Sequence, residues 1–147
     1  MLQFFFASLL FGGCQSEAPP ARSGAQVYAA SCANCHLSSG EGSGRFYPPL
    51  AGSECVVGDS DTLIRIVMHG IKGEITVKGK DYNNIMPPWG GALTDEELSN
   101  VLSYIRSSWG NGASPILKED VALIRKEHKD QTLWTVEKLQ EIIELKK

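Results

Sequence analysis

Cys32-Ala33-Asn34-Cys35-His36 constrains this chain more than any other stretch of it. Two cysteines three positions apart, with histidine next in line, form the attachment signature for c-type haem. The chemistry explains the spacing. Each thiol adds across one vinyl group of a single porphyrin, and a two-residue spacer at the end of a helix sets the separation of the two thioethers. The imidazole of the next residue then reaches the iron from one face. The motif predicts one covalent haem c, attached through Cys32 and Cys35, with His36 as an iron ligand. A structural zinc site needs four Cys or His ligands. Cys55, His69 and His128 are the remaining candidates, and none of them pairs at ligand spacing. A thioredoxin-type redox pair would need a βαβ context that this sequence lacks.

The chain has 147 residues, enough for one domain or slightly more. Its 14 Lys and Arg against 17 Asp and Glu give a net charge of −3, which argues against a nucleic-acid partner. A hydrophobic fraction of 42% supplies a core. Four cysteines are too few for a disulfide scaffold, and no disulfide is expected. Cys55, the odd one, reads as a buried apolar residue.

The first thirteen residues, Met1 to Gly13, carry no charge and hold the longest apolar run. That run is shorter than the about 20 residues a membrane-spanning helix needs, and it reads as a signal peptide. Gly12-Gly13-Cys14 resembles a bacterial lipobox, in which the cysteine is acylated after cleavage. Two features depart from that pattern: no Lys or Arg precedes the run, and Phe11 stands where Leu is usual. The expectation is an exported protein on the periplasmic side of a membrane, held there only by lipid on Cys14. Residues 14–23, rich in Pro and small residues, form a linker.

Residues 24–112 read as the folded unit. A first helix is expected from Gly24 to Asn34, with Val27, Tyr28 and Ser31 near one face. A glycine-rich loop follows from Ser39 to Gly44. A second helix is expected from Ser60 to His69, capped by Asp59, striped by Leu63, Ile66 and Val67, and stopped by Gly70. Ile71 to Asn84 reads as a small hairpin turning at Lys78-Gly79-Lys80. Thr94-Asp95-Glu96-Glu97 is a capping box that opens a helix to Ser108, with Leu98, Val101, Leu102 and Ile105 at helical spacing. Residues 113–147 carry seven Lys or Arg and seven Asp or Glu. Two short helices are expected there, Lys118–His128 and Val136–Lys146. Thr135 caps the second, and Trp134 and Leu139 form a hydrophobic staple. The stripe Leu139, Ile142, Ile143 is expected to pack on the back of the haem unit.

Four segments in this order resemble a class I monohaem cytochrome c domain. They are Gly24…Val27-Tyr28…Cys32-Ala-Asn-Cys-His36, Tyr47-Pro-Pro-Leu50, Asn84-Ile-Met-Pro-Pro-Trp89 and Leu93-Thr-Asp-Glu-Glu-Leu…Arg106. The resemblance covers 89 of the 147 residues. It implies an all-α fold wrapped round one covalent haem, extended by a short helical C-terminal segment. It also implies electron transfer between redox proteins, with no catalysis by the chain alone. Residues 107–115 resemble cytochromes that serve bacterial dehydrogenases and respiratory chains, so an exported dehydrogenase and a respiratory acceptor are the expected partners. The Tyr47–Leu50 turn implies cofactor contacts from Pro48 and Leu50, with the Pro48 carbonyl accepting the spare N–H of His36. Gly24 and Tyr28 would cross the last helix near Tyr104, and Trp89 would cover the haem beside the methionine loop.

The second iron ligand is assigned to Met86. Pro87 and Pro88 stiffen its loop, so the thioether can be held out toward the iron. Met68 falls in a helix core. His69, beside a stop glycine, reads as a solvent-facing or dipole-interacting residue. Arg45, Arg65, Lys78, Lys80 and Tyr82 are candidates to meet the propionates. A labile Met86 would instead make a ligand-binding or peroxidatic haem protein, and the rigid Met-Pro-Pro context argues against that.

Overall fold

The computed structural model describes residues 19–128 and 133–145. Met1–Gly13 and Cys14, on which the signal and lipid expectations fall, lie outside the described residues.

Local side-chain caps at Ser23, Asp59, Thr94 and Thr135 each start a helix. Ser23 accepts from the Gln26 amide while the Gln26 side chain accepts from the Ser23 amide, a capping box that opens α1 (Gly24–Val27). The backbone then widens into a π-helical turn, Tyr28–Cys32, and tightens again as α2 (Ala33–His36). The helical run thus ends two residues later than the expected Asn34, and His36 sits in its last turn. Single π turns inside helices concentrate at functional sites, and this one ends at Cys32.

A short α3 (Glu54–Val57) precedes α4 (Ser60–His69). Asp59 accepts from the Thr62 amide at 2.8 Å, and Gly70, at φ 68°, ends the helix as expected. Leu63 and Val67 are buried, whereas Ile66 is only half-buried. β1 (Ile71–Lys72) leads to the hairpin of β2 (Ile75–Val77) and β3 (Lys80–Tyr82). Val77 pairs with Lys80, and the two turn residues, Lys78 and Gly79, both take positive φ, as a tight two-residue hairpin requires. Thr94 and Glu97 close the expected capping box at the start of α5 (Asp95–Ser107). Leu98, Val101, Leu102 and Ile105 form the core with Val27, Ile64 and Met68.

α1 packs across α5. A Cβ on Gly24 would strike the Asn100 carbonyl oxygen and lie 2.6 Å from the Tyr104 Cβ, so only glycine permits the crossing. Tyr28 stacks at a tilt on Tyr104 and Trp109, with ring centroids 5.6 and 5.0 Å away, and its hydroxyl donates to the Leu37 carbonyl.

The C-terminal segment packs on this unit in two places. α6 (Lys118–Glu127) lies against α4 and α5 and buries Val121 and Ile124. β4 (Trp134–Thr135) pairs in parallel with β1, a pairing the sequence reading did not include. α7 (Val136–Glu144), capped by Thr135, packs on α4. Its stripe packs on the haem unit, as expected, but beside the cleft rather than on the unit's back. Leu139 is buried and Ile142 and Ile143 pack beside it, in one apolar cluster with Ile66, Ile75 and Met86. The architecture is mostly helical, with two two-stranded pairings. Among the described residues no helix is long and apolar enough to cross a membrane.

Candidate haem site

A cleft of about 530 Å³ opens between the attachment helix, α4, the hairpin and the 84–89 loop. Cys32, Cys35, His36, Pro48, Leu50, Met86 and Trp89 all line it. These are the seven residues predicted to bind the cofactor, drawn from three separate segments. Cys32, Cys35 and Cys55 are free thiols. Burial pushes the Cys32 thiol up to about 11, with the neighbouring Cys35 adding to the shift, so Cys32 holds its proton at neutral pH.

His36 is fixed by one hydrogen bond. Its Nδ1 lies 2.9 Å from the Pro48 carbonyl oxygen. A carbonyl only accepts, so Nδ1 carries the proton and Nε2 keeps its lone pair, the tautomer that ligates a metal. Burial lowers the imidazole pKa, against the opposing pull of the Pro48 carbonyl, and favours the neutral ring. Gly42 makes this contact possible. It sits at φ 70°, and a Cβ there would lie 2.6 Å from the Pro48 carbonyl oxygen. Its amide also donates to the His36 carbonyl at 3.0 Å. The sequence reading saw only a glycine-rich loop, because the need for glycine comes from a segment six residues further on.

Met86 is held through its backbone. It exchanges two hydrogen bonds with Ile71, each 3.0 Å, in an antiparallel bridge. The next residues cap α4: the Trp89 amide donates to the Val67 carbonyl at 3.0 Å and the Gly90 amide to the Met68 carbonyl at 2.9 Å. Terminal helix carbonyls left without intrahelical partners are thereby satisfied. Gly70 does more than stop the helix. A Cβ on it would strike the Met86 carbonyl oxygen and lie 2.7 Å from the Pro88 nitrogen.

The rival ligands lie elsewhere. Met68 is fully buried in the main core, away from the cleft lining. His69 is not solvent-facing, as its position beside Gly70 suggested. It is fully buried, stacked on Trp134 at 4.0 Å and 3° between planes, with His128 edge-on at 5.9 Å. A partner from the C-terminal segment, invisible to local pattern, makes the difference. Cys55 lines the cleft half-buried, its pKa raised chiefly by burial, and is not simply a core residue. Arg65 is no propionate partner. It is buried and paired with Glu127 at 2.6 Å and Asp61 at 3.4 Å. Arg45 is exposed and does not line the cleft. Lys78, Lys80 and Tyr82 line a second depression of about 460 Å³, which shares Tyr82 and Pro49 with the cleft.

These donors fit a haem: two free thiols, a neutral imidazole with its tautomer fixed, a thioether, and walls of Val, Leu, Ile and aromatic side chains. The family described as cytochrome c oxidase, cbb3-type, subunit III, matches residues 19–105. The chain belongs to the cytochrome c family. Cytochrome c-552 of Thermus thermophilus is 36% identical over 134 residues, covering 85% of this chain and 87% of that protein. That likeness runs past residue 105 into the C-terminal segment. The cytochrome c subunit of a quinone alcohol dehydrogenase from Gluconacetobacter polyoxogenes is 33% identical over 122 residues, covering 81% of this chain and 25% of that subunit. Cytochrome c6 of Gracilaria tenuistipitata var. liui is 31% identical over 93 residues, covering 60% of this chain and 73% of that protein. The cytochrome binds one haem c covalently and carries electrons to and from redox partners, without a reaction of its own.

Proposed function

We propose that Cys32 and Cys35 would attach the haem, that His36 and Met86 would ligate its iron, and that the chain passes electrons from an exported dehydrogenase to a respiratory acceptor. The observation that carries the ligand assignment is the His36 Nδ1 to Pro48 carbonyl bond, with Met86 lining the same cleft. Bound haem supplies a one-electron iron couple, and His/Met ligation sets its potential above that of stronger donor pairs. The chain's own residues do the rest. Pro48 orients the imidazole, and the Ile71 bridge holds the Met86 backbone. Leu50, Trp89, Val77 and Leu102 wall the cleft with apolar surface that would shield a bound haem. With His36 and Met86 both given to the iron, the bound haem would exchange electrons rather than take up a substrate, and the cleft mouth would be the docking face. Phe46 and Ile85, each 61% exposed, stand at that mouth. The region 24–112 carries six Lys or Arg and nine Asp or Glu, so recognition rests on apolar contact with modest electrostatics.

The dehydrogenase assignment draws on relatives named as cytochrome subunits of alcohol, gluconate and fructose dehydrogenases. Export, with acylation at Cys14 and a periplasmic site at a membrane surface, is part of the same reading. Residues 24–112 serve as the haem unit and residues 113–147 as its helical extension.

Acid–acetone extraction tests the attachment. Haem should stay with the wild-type polypeptide and with either single variant, Cys32→Ala or Cys35→Ala, that still loads haem. It should leave the double variant. Haem entering the organic phase from wild type would overturn the attachment assignment.

A further inference from the structure

We infer that the C-terminal segment locks the Met86 loop in place, with Arg125 and Trp134 as positioning residues for the iron's sulfur ligand; the inference rests on the reading of Met86 as that ligand. The loop from Met86 to Leu93 is fastened to the haem unit at Ile71 and at the end of α4. The C-terminal segment backs each fastening from the far side. Ile71, which bridges Met86 on one edge, pairs with Trp134 on the other, so three backbone segments run side by side. Trp134 is 1% exposed and stacks on His69, the last residue of α4. Arg125 of α6 spans the other end of the loop. Its Nη1 donates to the Gly90 carbonyl, its Nη2 to the Leu93 carbonyl at 3.1 Å, and its Nε to Asp95 at 2.6 Å. The Gly90 amide is meanwhile bound to the Met68 carbonyl. One guanidinium therefore ties the loop to the first turn of α5. α7 completes the enclosure, with Val136 and Leu139 lining the cleft and Leu139 sharing an apolar cluster with Met86.

Neither Arg125 nor Trp134 lines the cleft, so both act through the loop. Loops open locally when few buried contacts and backbone bonds hold them. Outward movement of the loop would draw the Met86 thioether off the iron, and that movement breaks contacts made by the C-terminal segment.

The test uses the full-length oxidised holoprotein, under conditions where circular dichroism shows each variant folded. Cyanide is the probe for a vacated sulfur position, read beside the weak long-wavelength absorption band of a sulfur–iron bond. Arg125→Met leaves two carbonyls without their charged donor, and Trp134→Ala removes the stack. Each should speed cyanide binding about tenfold or more, the scale of losing charge-assisted hydrogen bonds or a buried ring. Each should also bleach the band well before global unfolding on heating. Trp134→Phe keeps the stack and should stay near wild type. Arg125→Lys, the milder change, should fall between wild type and Arg125→Met, and it remains decisive if Arg125→Met does not fold. Val121→Ala, a cavity in the face of α6 that meets the core, should lower global stability and leave cyanide binding in the native state unchanged. Wild-type cyanide rates in the Arg125 and Trp134 variants, with the band intact, would overturn the inference while leaving Met86 as ligand. An equal acceleration in Val121→Ala would reduce the segment to a general stabiliser. A wild-type protein without the band would overturn the Met86 reading and the inference with it.

Discussion

A Cβ on Gly42 would meet the carbonyl oxygen of Pro48, the atom that fixes the His36 tautomer. Gly42→Ala must therefore adopt a positive φ that L side chains disfavour and push the Pro48 carbonyl away from the imidazole. A residue held in such a conformation costs of order 1–3 kcal/mol. Denaturant unfolding of the holoprotein should show that loss, and the His36 Nδ1 proton should exchange with solvent faster than in wild type. Unchanged stability and unchanged proton protection would contradict the role given to Gly42. Cys32, Cys35 and His36 were legible because their chemistry is written in consecutive positions. Gly42, Ile71 and the packing of Gly70 on the Met86 loop were not, because what each requires is set by backbone that arrives from elsewhere in the chain. Arg65 and His69 were misplaced for the same reason. Their partners, Glu127 and Trp134, lie in the C-terminal segment.

Among the elements, α4 separates the two methionines. Met68 points into the core shared with α5, and the carbonyls of Val67 and Met68 receive the loop that follows Met86. Met68→Ala should cost about 2–5 kcal/mol, the range for truncating a fully buried Met, with the sulfur–iron band retained in the folded protein. Loss of the band with little loss of stability would move the ligand to Met68. α4 and α5 were readable from their caps and apolar spacing, since Asp59, Thr94 and Glu97 act within a single turn. The hairpin was readable from Lys78-Gly79-Lys80, although Lys80 opens β3 and only Lys78 and Gly79 form the turn. The π-helical turn was not, because its sequence, Tyr-Ala-Ala-Ser-Cys, continues the helical pattern. The β1–β4 pairing is two residues long on each side, too short to leave any alternation.

At the scale of the whole molecule, the C-terminal segment changes what the haem unit is. Ser99 and Ser103 both donate to the Ile116 carbonyl, and Arg106 donates to Val56, Gly58 and Ser114 carbonyls, so the chain leaves α5 already tied down. α6 and α7 were expected from periodicity and capping. Their docking on α4 and at the cleft was not, because an amphipathic stripe states that it will be buried and not against what. At the other end, the proposed acylation of Cys14 would hold this unit at a membrane surface, since each buried CH₂ contributes about 0.8 kcal/mol and two or more chains anchor stably. Cys14→Ser should move the exported protein from the membrane to the soluble fraction. A wild-type protein already soluble after export would contradict the lipid anchor.

The central claim is that one cleft presents a haem iron to His36 on one face and Met86 on the other. The absorption spectrum of the oxidised holoprotein, recorded for wild type and Met86→Ala, tests it most directly. Wild type should show the weak long-wavelength band of a thioether–iron bond. Met86→Ala should lack the band, have a lower reduction potential and bind cyanide readily. A band that survives in Met86→Ala, or that is absent from wild type, would contradict the account.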